Sequence, residues 1–184
     1  MELELDPRSI IQDGFCKGME IVGEKCETGE YFLPQLINFS SVLDTAMTVL
    51  KPGLSLCAHP PGNNIVMGVI EGDIHDIGKN IVKSILTSYG HRIIDLGKDV
   101  PPSLFIEAAI KGKARIICVS TSVNTTMSGM EDVLNSVRSH GLQDTIKVIV
   151  GGNTISEKYA NDIGADGFAP NAALALNEIN SLIN

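Results

Sequence analysis

From Ile65 onward the chain repeats one unit: a short apolar run, a polar loop, then an amphipathic helix. Strands are expected at Ile65–Ile70, His91–Leu96, Ile116–Ser120, Lys147–Val150 and Gly167–Ala169. Helices are expected over about 78–89, 102–111, 127–139 and 156–163, and from Ala172 onward. Apolar runs that do not alternate with polar residues mark strands buried on both faces. Placed between helices, they build a parallel sheet covered on both sides. The right-handed crossover rule then makes the sheet doubly wound. Ligands of such sheets bind outside the carboxyl ends of the strands, at the point where strand order reverses.

The first fifty residues follow a different period. Ile10, Ile11, Phe15, Met19 and Val22 share a helical face, and Asp6-Pro7 supplies an N-cap acceptor followed by a residue needing no N–H donor. Thr28-Gly29 breaks this helix. A second one carries Leu33, Leu36, Ile37, Leu43, Met47 and Leu50, with Pro34 in its first turn. The proline- and glycine-rich stretch that follows reads as a linker. The expected division is therefore a helical region over 1–52, a linker over 53–64 and a sheet domain over 65–184.

The chain has 184 residues and a net charge of -8, without a basic patch, which argues against nucleic acid as a partner. Cys16, Cys26, Cys57 and Cys118 form no C-x-x-C pair and are too sparse for a disulfide framework. The opening residues lack the basic and apolar regions of a signal peptide, and no apolar run approaches the ~20 residues of a membrane span. A cytoplasmic protein without membrane association is expected.

Four loops should open on one edge of the sheet: Glu71–Asn80, Ser120–Thr126, Gly151–Asn153 and Pro170–Ala172. In the first, His75 is a candidate metal ligand through a neutral imidazole nitrogen. Such a ligand commonly donates its other N–H to a carboxylate, and Asp73 stands two residues before it. The residues alone leave a second reading open, in which His75 caps the next helix or is solvated beside Asp76. Zinc would need three or four ligands. The other histidines fall elsewhere: His59 in the linker, His91 opening a strand, His140 ending a helix. A single protein nitrogen suits a metal whose remaining positions are filled by a macrocycle.

Gly151-Gly152 reads either as a tight turn or as a close approach of a bulky ligand to the backbone. Ser120, Ser122, Asn124 and Thr126 offer hydroxyl and amide groups, and Thr125 or Thr126 is also placed to cap the following helix. No G-x-G-x-x-G follows the first strand and no phosphate-binding G-x-x-x-x-G-K-[ST] occurs, which disfavours dinucleotides and nucleoside triphosphates.

At these residues the sequence resembles the cobalamin-binding proteins of corrinoid-dependent methyl transfer. That family includes the cobalamin module of methionine synthase and the corrinoid proteins of methanol, methylamine and methoxy-aromatic methyltransferases. Its Asp-x-His-x-x-Gly motif stands here as Asp73-Ile74-His75-Asp76-Ile77-Gly78, within Gly72–Val82, and its later Ser and Gly-Gly elements as Ser120 and Gly151-Gly152. Gly18–Lys25 and Gly29–Gln35 resemble the helical cap of the same branch. The resemblance covers nearly the whole chain and implies a Rossmann-like (flavodoxin-like) α/β domain with five parallel strands, preceded by a small all-α cap.

The resemblance also implies a cofactor and a site. Cobalamin, as a methylcobalamin-type corrinoid, would bind with its own base displaced and His75 as the lower axial ligand of the cobalt. Asp73 would hold the His75 N–H and Thr126 would extend that hydrogen-bond chain, tuning the cobalt between Co(I) and methyl-Co(III). Gly72, Ile74, Asp76 and Gly78 would meet the corrin, and Ser120, Asn124, Gly151, Gly152 and Ala172 the nucleotide tail. Leu33 and Leu36 match cap positions over the upper corrin face. The implied partners are a substrate-specific methyltransferase, a second methyltransferase whose acceptor is tetrahydrofolate or coenzyme M, and a reductive activase.

Three positions depart from the family pattern. Thr126 stands where methionine synthases carry Ser, Cys26 stands at a cap position often aromatic, and few residues precede Ile10 where family caps have an earlier helix. A cap lacking that helix would expose an apolar edge, so homo-oligomerisation or partner docking is expected. The competing reading is the small subunit of an adenosylcobalamin-dependent mutase, which shares the motif but not generally the cap.

Overall fold

A computed structural model describes residues 63–88, 90–170 and 172–183. In the amino-terminal region it also describes residues 10, 14, 17–18, 21–22, 25, 28–32, 34–35, 38–39, 41–42, 45–46 and 48–49. The sheet domain runs β1 (Asn64–Val69), α1 (Ile77–Ser88), β2 (Arg92–Asp95), α2 (Pro102–Gly112), β3 (Ile116–Ser120), α3 (Ser128–Ser139), β4 (Lys147–Gly151), α4 (Glu157–Ile163), β5 (Gly167–Ala169) and α5 (Ala172–Ile183). All strand pairs are parallel and the order is β2-β1-β3-β4-β5. The expected five-stranded, doubly wound Rossmann-like sheet is present, and its order reverses between β1 and β3. The loops that follow these two strands therefore flank the crevice where such folds bind ligands.

Strand residues alternate between two apolar layers, because successive side chains point to opposite faces. Val66, Ile117, Val119, Val148 and Val150 join Phe105, Met130, Val133 and Ile163 from α2, α3 and α4. Ile65, Met67, Ile116 and Ile149 join Ile81, Leu86, Leu176 and Ile179 from α1 and α5. Complete burial of Ile65, Val66, Ile117, Val148 and Val150 explains why these strands read as continuous apolar runs. Gly68 leaves room for Phe105: a Cβ there would lie 2.8 Å from the ring.

In the amino-terminal region, the described residues 17–18, 21–22, 25 and, after a turn, 34–35, 38–39, 41–42, 45–46 and 48–49 are helical. The break expected at Thr28-Gly29 is that turn, with Gly29 at φ 75°. Tyr31 N–H donates to the Lys25 carbonyl across it. Phe39 packs against the α1/α5 layer of the sheet domain, and Gly18 lies against the Phe39 ring. Leu33, Leu36, Cys26 and residues 51–62 lie outside the described residues, as do most apolar positions assigned to the two helical stripes. Among the described residues no helix is long and apolar enough to cross a membrane.

One local expectation is corrected. Neither Thr125 nor Thr126 caps α3. Residues Asn124–Thr126 form a 3-10 turn, Met127 occupies the N-cap, and no side chain makes a capping bond there. The turn instead places the Thr126 hydroxyl against the Thr121 hydroxyl and the Val123 carbonyl, with its methyl group toward Gly72.

Candidate functional site

The loop after β1 has no regular backbone pairing of its own from Gly72 to Asp76, so neighbouring loops must satisfy its polar groups. Asp73 does most of this. Its carboxylate is 0% exposed, whereas the His75 side chain is 64% exposed. Oδ1 accepts the His75 backbone N–H at 2.9 Å and faces His75 Nδ1 at 2.7 Å. Oδ2 accepts the Thr121 hydroxyl at 2.7 Å and the Ser122 N–H at 2.6 Å. Burial alone would push the Asp73 carboxyl up. The N–H groups of Ser122 and His75, the Thr121 hydroxyl and the His75 ring outweigh it and hold the pKa at about 2.

That ionisation sets the direction of every bond. A carboxylate only accepts, so Nδ1 of His75 carries the proton toward Asp73. In the neutral imidazole, Nε2 is then the bare nitrogen, on a ring that is mostly exposed. The same reasoning orders the hydroxyls. Thr121 gives its one proton to Asp73, so it can only accept in its 2.6 Å contact with Thr126, whose one proton is shared between Thr121 and the Val123 carbonyl at 2.9 Å.

Thr121 is the residue that the sequence reading missed. Thr126 does extend the hydrogen-bond chain, but it reaches Asp73 through Thr121, which is completely buried. A signal was available: Thr121 directly follows the third strand, where a side chain lies at the switch point. Ser122, read only as a polar loop residue, contributes its backbone N–H.

The remaining candidates divide. Gly72 has φ 85°, and a Cβ there would sit 2.9 Å from Thr126 Cγ2, so loop conformation and space both require glycine. Ile74 is a large exposed hydrophobic residue beside His75, and the Asp76 carbonyl accepts Asn80 N–H at the start of α1. Gly78 lies in the first turn of α1, and a Cβ there would meet no atom within 4 Å. Gly152 has φ 122°, and its Cβ would lie 1.8 Å from the Thr121 carbonyl oxygen; one at Gly151 would lie 2.6 Å from that of Ala169. The Gly-Gly pair thus serves a close approach between this chain's own loops, drawing β4 against the Thr121 loop. Ser120 pairs with Val69 and Gly151 in the sheet register, Asn124 begins the 3-10 turn, and Ala172 begins α5.

Among the described residues, no group of three or more His, Cys, Asp or Glu is assembled to cage a bare metal ion. Two family models, each described as a B12 binding domain, match residues 63–179 and residues 1–51. The chain belongs to the B12-binding family. The resemblance read at Asp73–Gly78 is thereby borne out, and the cofactor is of the cobalamin type. Similar proteins agree. The trimethylamine corrinoid protein 1 of Methanosarcina acetivorans is 35% identical over 97% of this B12-binding chain and 84% of its own length. The crystal structure of a cobalamin-binding protein from Desulfitobacterium hafniense superposes with a TM-score of 0.78 at 31% identity. It covers 97% of this chain and 83% of its own. The methanol:cobalamin methyltransferase complex of Methanosarcina barkeri gives a TM-score of 0.69 at 28% identity, over 97% of this chain and 68% of that one.

The residues of this B12-binding protein fit the cofactor by their donor chemistry. One imidazole presents an unprotonated nitrogen outward and is backed by a buried carboxylate, the arrangement that orients and strengthens a metal-ligating histidine. Ile74, adjacent to His75 in sequence, is exposed, and a Cβ at Gly78 would project into open space.

Proposed function

We propose that this protein is a methyl carrier that binds cobalamin with the cofactor's base displaced and His75 as lower axial ligand. When bound, the cofactor supplies a cobalt centre that accepts and releases a methyl group; the protein supplies position and electrostatics. Gly72, Ile74, Asp76 and Gly78 support the corrin, while Ser120, Asn124, Gly151, Gly152 and Ala172 line the path of the nucleotide tail. Residues 1–52, Leu33 and Leu36 among them, form the cap over the other corrin face, joined by a linker over 53–64 to the sheet domain at 65–184.

One observation carries this reading: His75 Nδ1 is 2.7 Å from a fully buried carboxylate while the ring itself is exposed. Asp73 keeps the ring in the tautomer whose Nε2 can bind a metal. Its negative charge also makes the imidazole a stronger donor. The Asp73–Thr121–Thr126 chain holds the ring in that orientation, so His75, Asp73, Thr121 and Thr126 act together on the ligating nitrogen. The partners are a substrate-specific methyltransferase and a second methyltransferase acting on tetrahydrofolate or coenzyme M, with a reductive activase restoring the carrier after oxidation. The named relatives support a methyl-transfer role, and the match at residues 1–51 ahead of the sheet domain disfavours the mutase reading.

The test is reconstitution with hydroxocobalamin, followed by desalting and visible spectroscopy. Wild type should retain stoichiometric corrinoid with displaced base, and His75→Ala should retain corrinoid with altered axial-ligand bands. A colourless wild type, or identical bands in the two proteins, would contradict the assignment.

A further inference from the structure

The carboxylate of the His75 loop is held by the β3 side, but the loop's backbone is held from the opposite side. Gly97–Val100, the segment after β2, turns back against the end of β1. Val69 N–H donates to the Gly97 carbonyl and the Val69 carbonyl accepts Val100 N–H, both at 3.0 Å. In a regular parallel ladder those two partners stand two residues apart. Here they are Gly97 and Val100, so one extra residue is accommodated and the segment bulges. Bulges of this kind re-aim a side chain and concentrate beside functional sites.

The side chain that is re-aimed is Asp99. It has φ 57°, one of only two non-glycine residues with positive φ among the described residues. Outliers of this kind persist only where the surroundings determine them. In this conformation Asp99 makes two bonds to the residues just ahead of His75. Its Oδ1 accepts Gly72 N–H at 2.8 Å, and its own N–H donates to the Asp73 carbonyl at 3.0 Å. Val100 accepts Glu71 N–H at 2.9 Å immediately beside them. Three consecutive loop residues, Glu71, Gly72 and Asp73, are therefore tied to this bulge.

We infer that Asp99 is a positioning residue for the His75–Asp73 pair. It fixes the backbone at Gly72 and Asp73 so that the Asp73 carboxylate meets both His75 Nδ1 and the Thr121 hydroxyl. Its bonds are to the backbone of Gly72 and Asp73 rather than to the His75 ring, so it acts through the loop. The inference deepens the proposed role of His75 and rests on it for its functional meaning, but the geometry that it concerns exists without cofactor.

Two substitutions separate the bond from the backbone. Asp99→Gly keeps the left-handed conformation without strain and removes only the acceptor. Asp99→Asn keeps both, because Asn tolerates that region and presents an amide oxygen. The readout is the ring 15N chemical shifts of His75 in cofactor-free protein at alkaline pH, assigned by their loss in His75→Ala. Wild type and Asp99→Asn should show the single Nδ1–H tautomer; Asp99→Gly should show shifts averaged between the two tautomers. Wild-type shifts in Asp99→Gly, or averaged shifts in both variants, would overturn the inference. Hydroxocobalamin retention by wild type is measured separately. Its failure would remove the methyl-carrier reading and leave the tautomer result to decide on Asp99.

Discussion

Two carboxylates near the carboxyl ends of adjacent strands, Asp73 after β1 and Asp95 at the end of β2, are both held at about 2, and they are held differently. Asp95 lies between two ammonium groups, Lys79 Nζ at 2.6 Å and Lys83 Nζ at 2.8 Å, with Gly97 N–H as a third donor. Lys79 is almost wholly buried, and its first-turn position ties α1 to β2. Asp73 has no cation beside it unless His75 is protonated; N–H and O–H dipoles do the work. At Asp95 the negative charge is cancelled and the result is a clamp. At Asp73 the charge is stabilised but kept, and its one titratable neighbour is an imidazole facing solvent. A depressed carboxylate pKa therefore does not by itself mark a functional site; the nature of its partners does.

Removing the two groups should expose that difference, first in stability. Asp73→Ala leaves the buried Thr121 hydroxyl and the Ser122 N–H without their acceptor, so urea unfolding should show a loss of about 3 kcal/mol. Lys79→Met should cost less, about 2 kcal/mol, because Lys83 still pairs with Asp95. A smaller loss for Asp73→Ala than for Lys79→Met would break the comparison.

The acid arm sharpens it. Burial alone would raise the Asp95 carboxyl, but the Lys79 and Lys83 ammoniums bring it down from an unfolded value of 3.8 to about 2. A group depressed in the folded state adds stability above its unfolded pKa and loses it as pH falls through the folded one. The Asp95 contribution, on the order of 2 kcal/mol, should be complete above about pH 4 and vanish toward pH 2. Stability measured across that window should fall less steeply in Lys79→Met than in wild type. The smallest effect is expected at His75 itself: with a mostly exposed ring, His75→Ala should change unfolding stability by no more than about 0.5 kcal/mol.

The sheet was legible because full burial of Ile65, Val66 and Ile117 on two faces removes polar alternation from their strands, and amphipathic helices stand between them. The β1 loop was legible because Asp73 and His75 are close in sequence, so local spacing encodes their pairing. Thr121 and Asp99 were not, since each meets the loop through contacts spanning 48 and 27 residues. Such contacts follow from strand order and from a bulge, which periodicity does not report. The glycines were half legible: Gly151-Gly152 read as either a tight turn or a close approach of a ligand, and what approaches Gly152 is the backbone of Thr121.

The most direct test of the central claim is electron paramagnetic resonance of the protein loaded with cobalamin and reduced to Co(II), prepared with natural-abundance and with 15N-labelled histidine. With His75 as axial ligand, the nitrogen superhyperfine splitting changes from the 14N pattern to the 15N pattern on labelling and is absent in His75→Ala. A splitting that keeps the 14N pattern in the labelled protein would assign the axial nitrogen to the cofactor's own base and contradict the account.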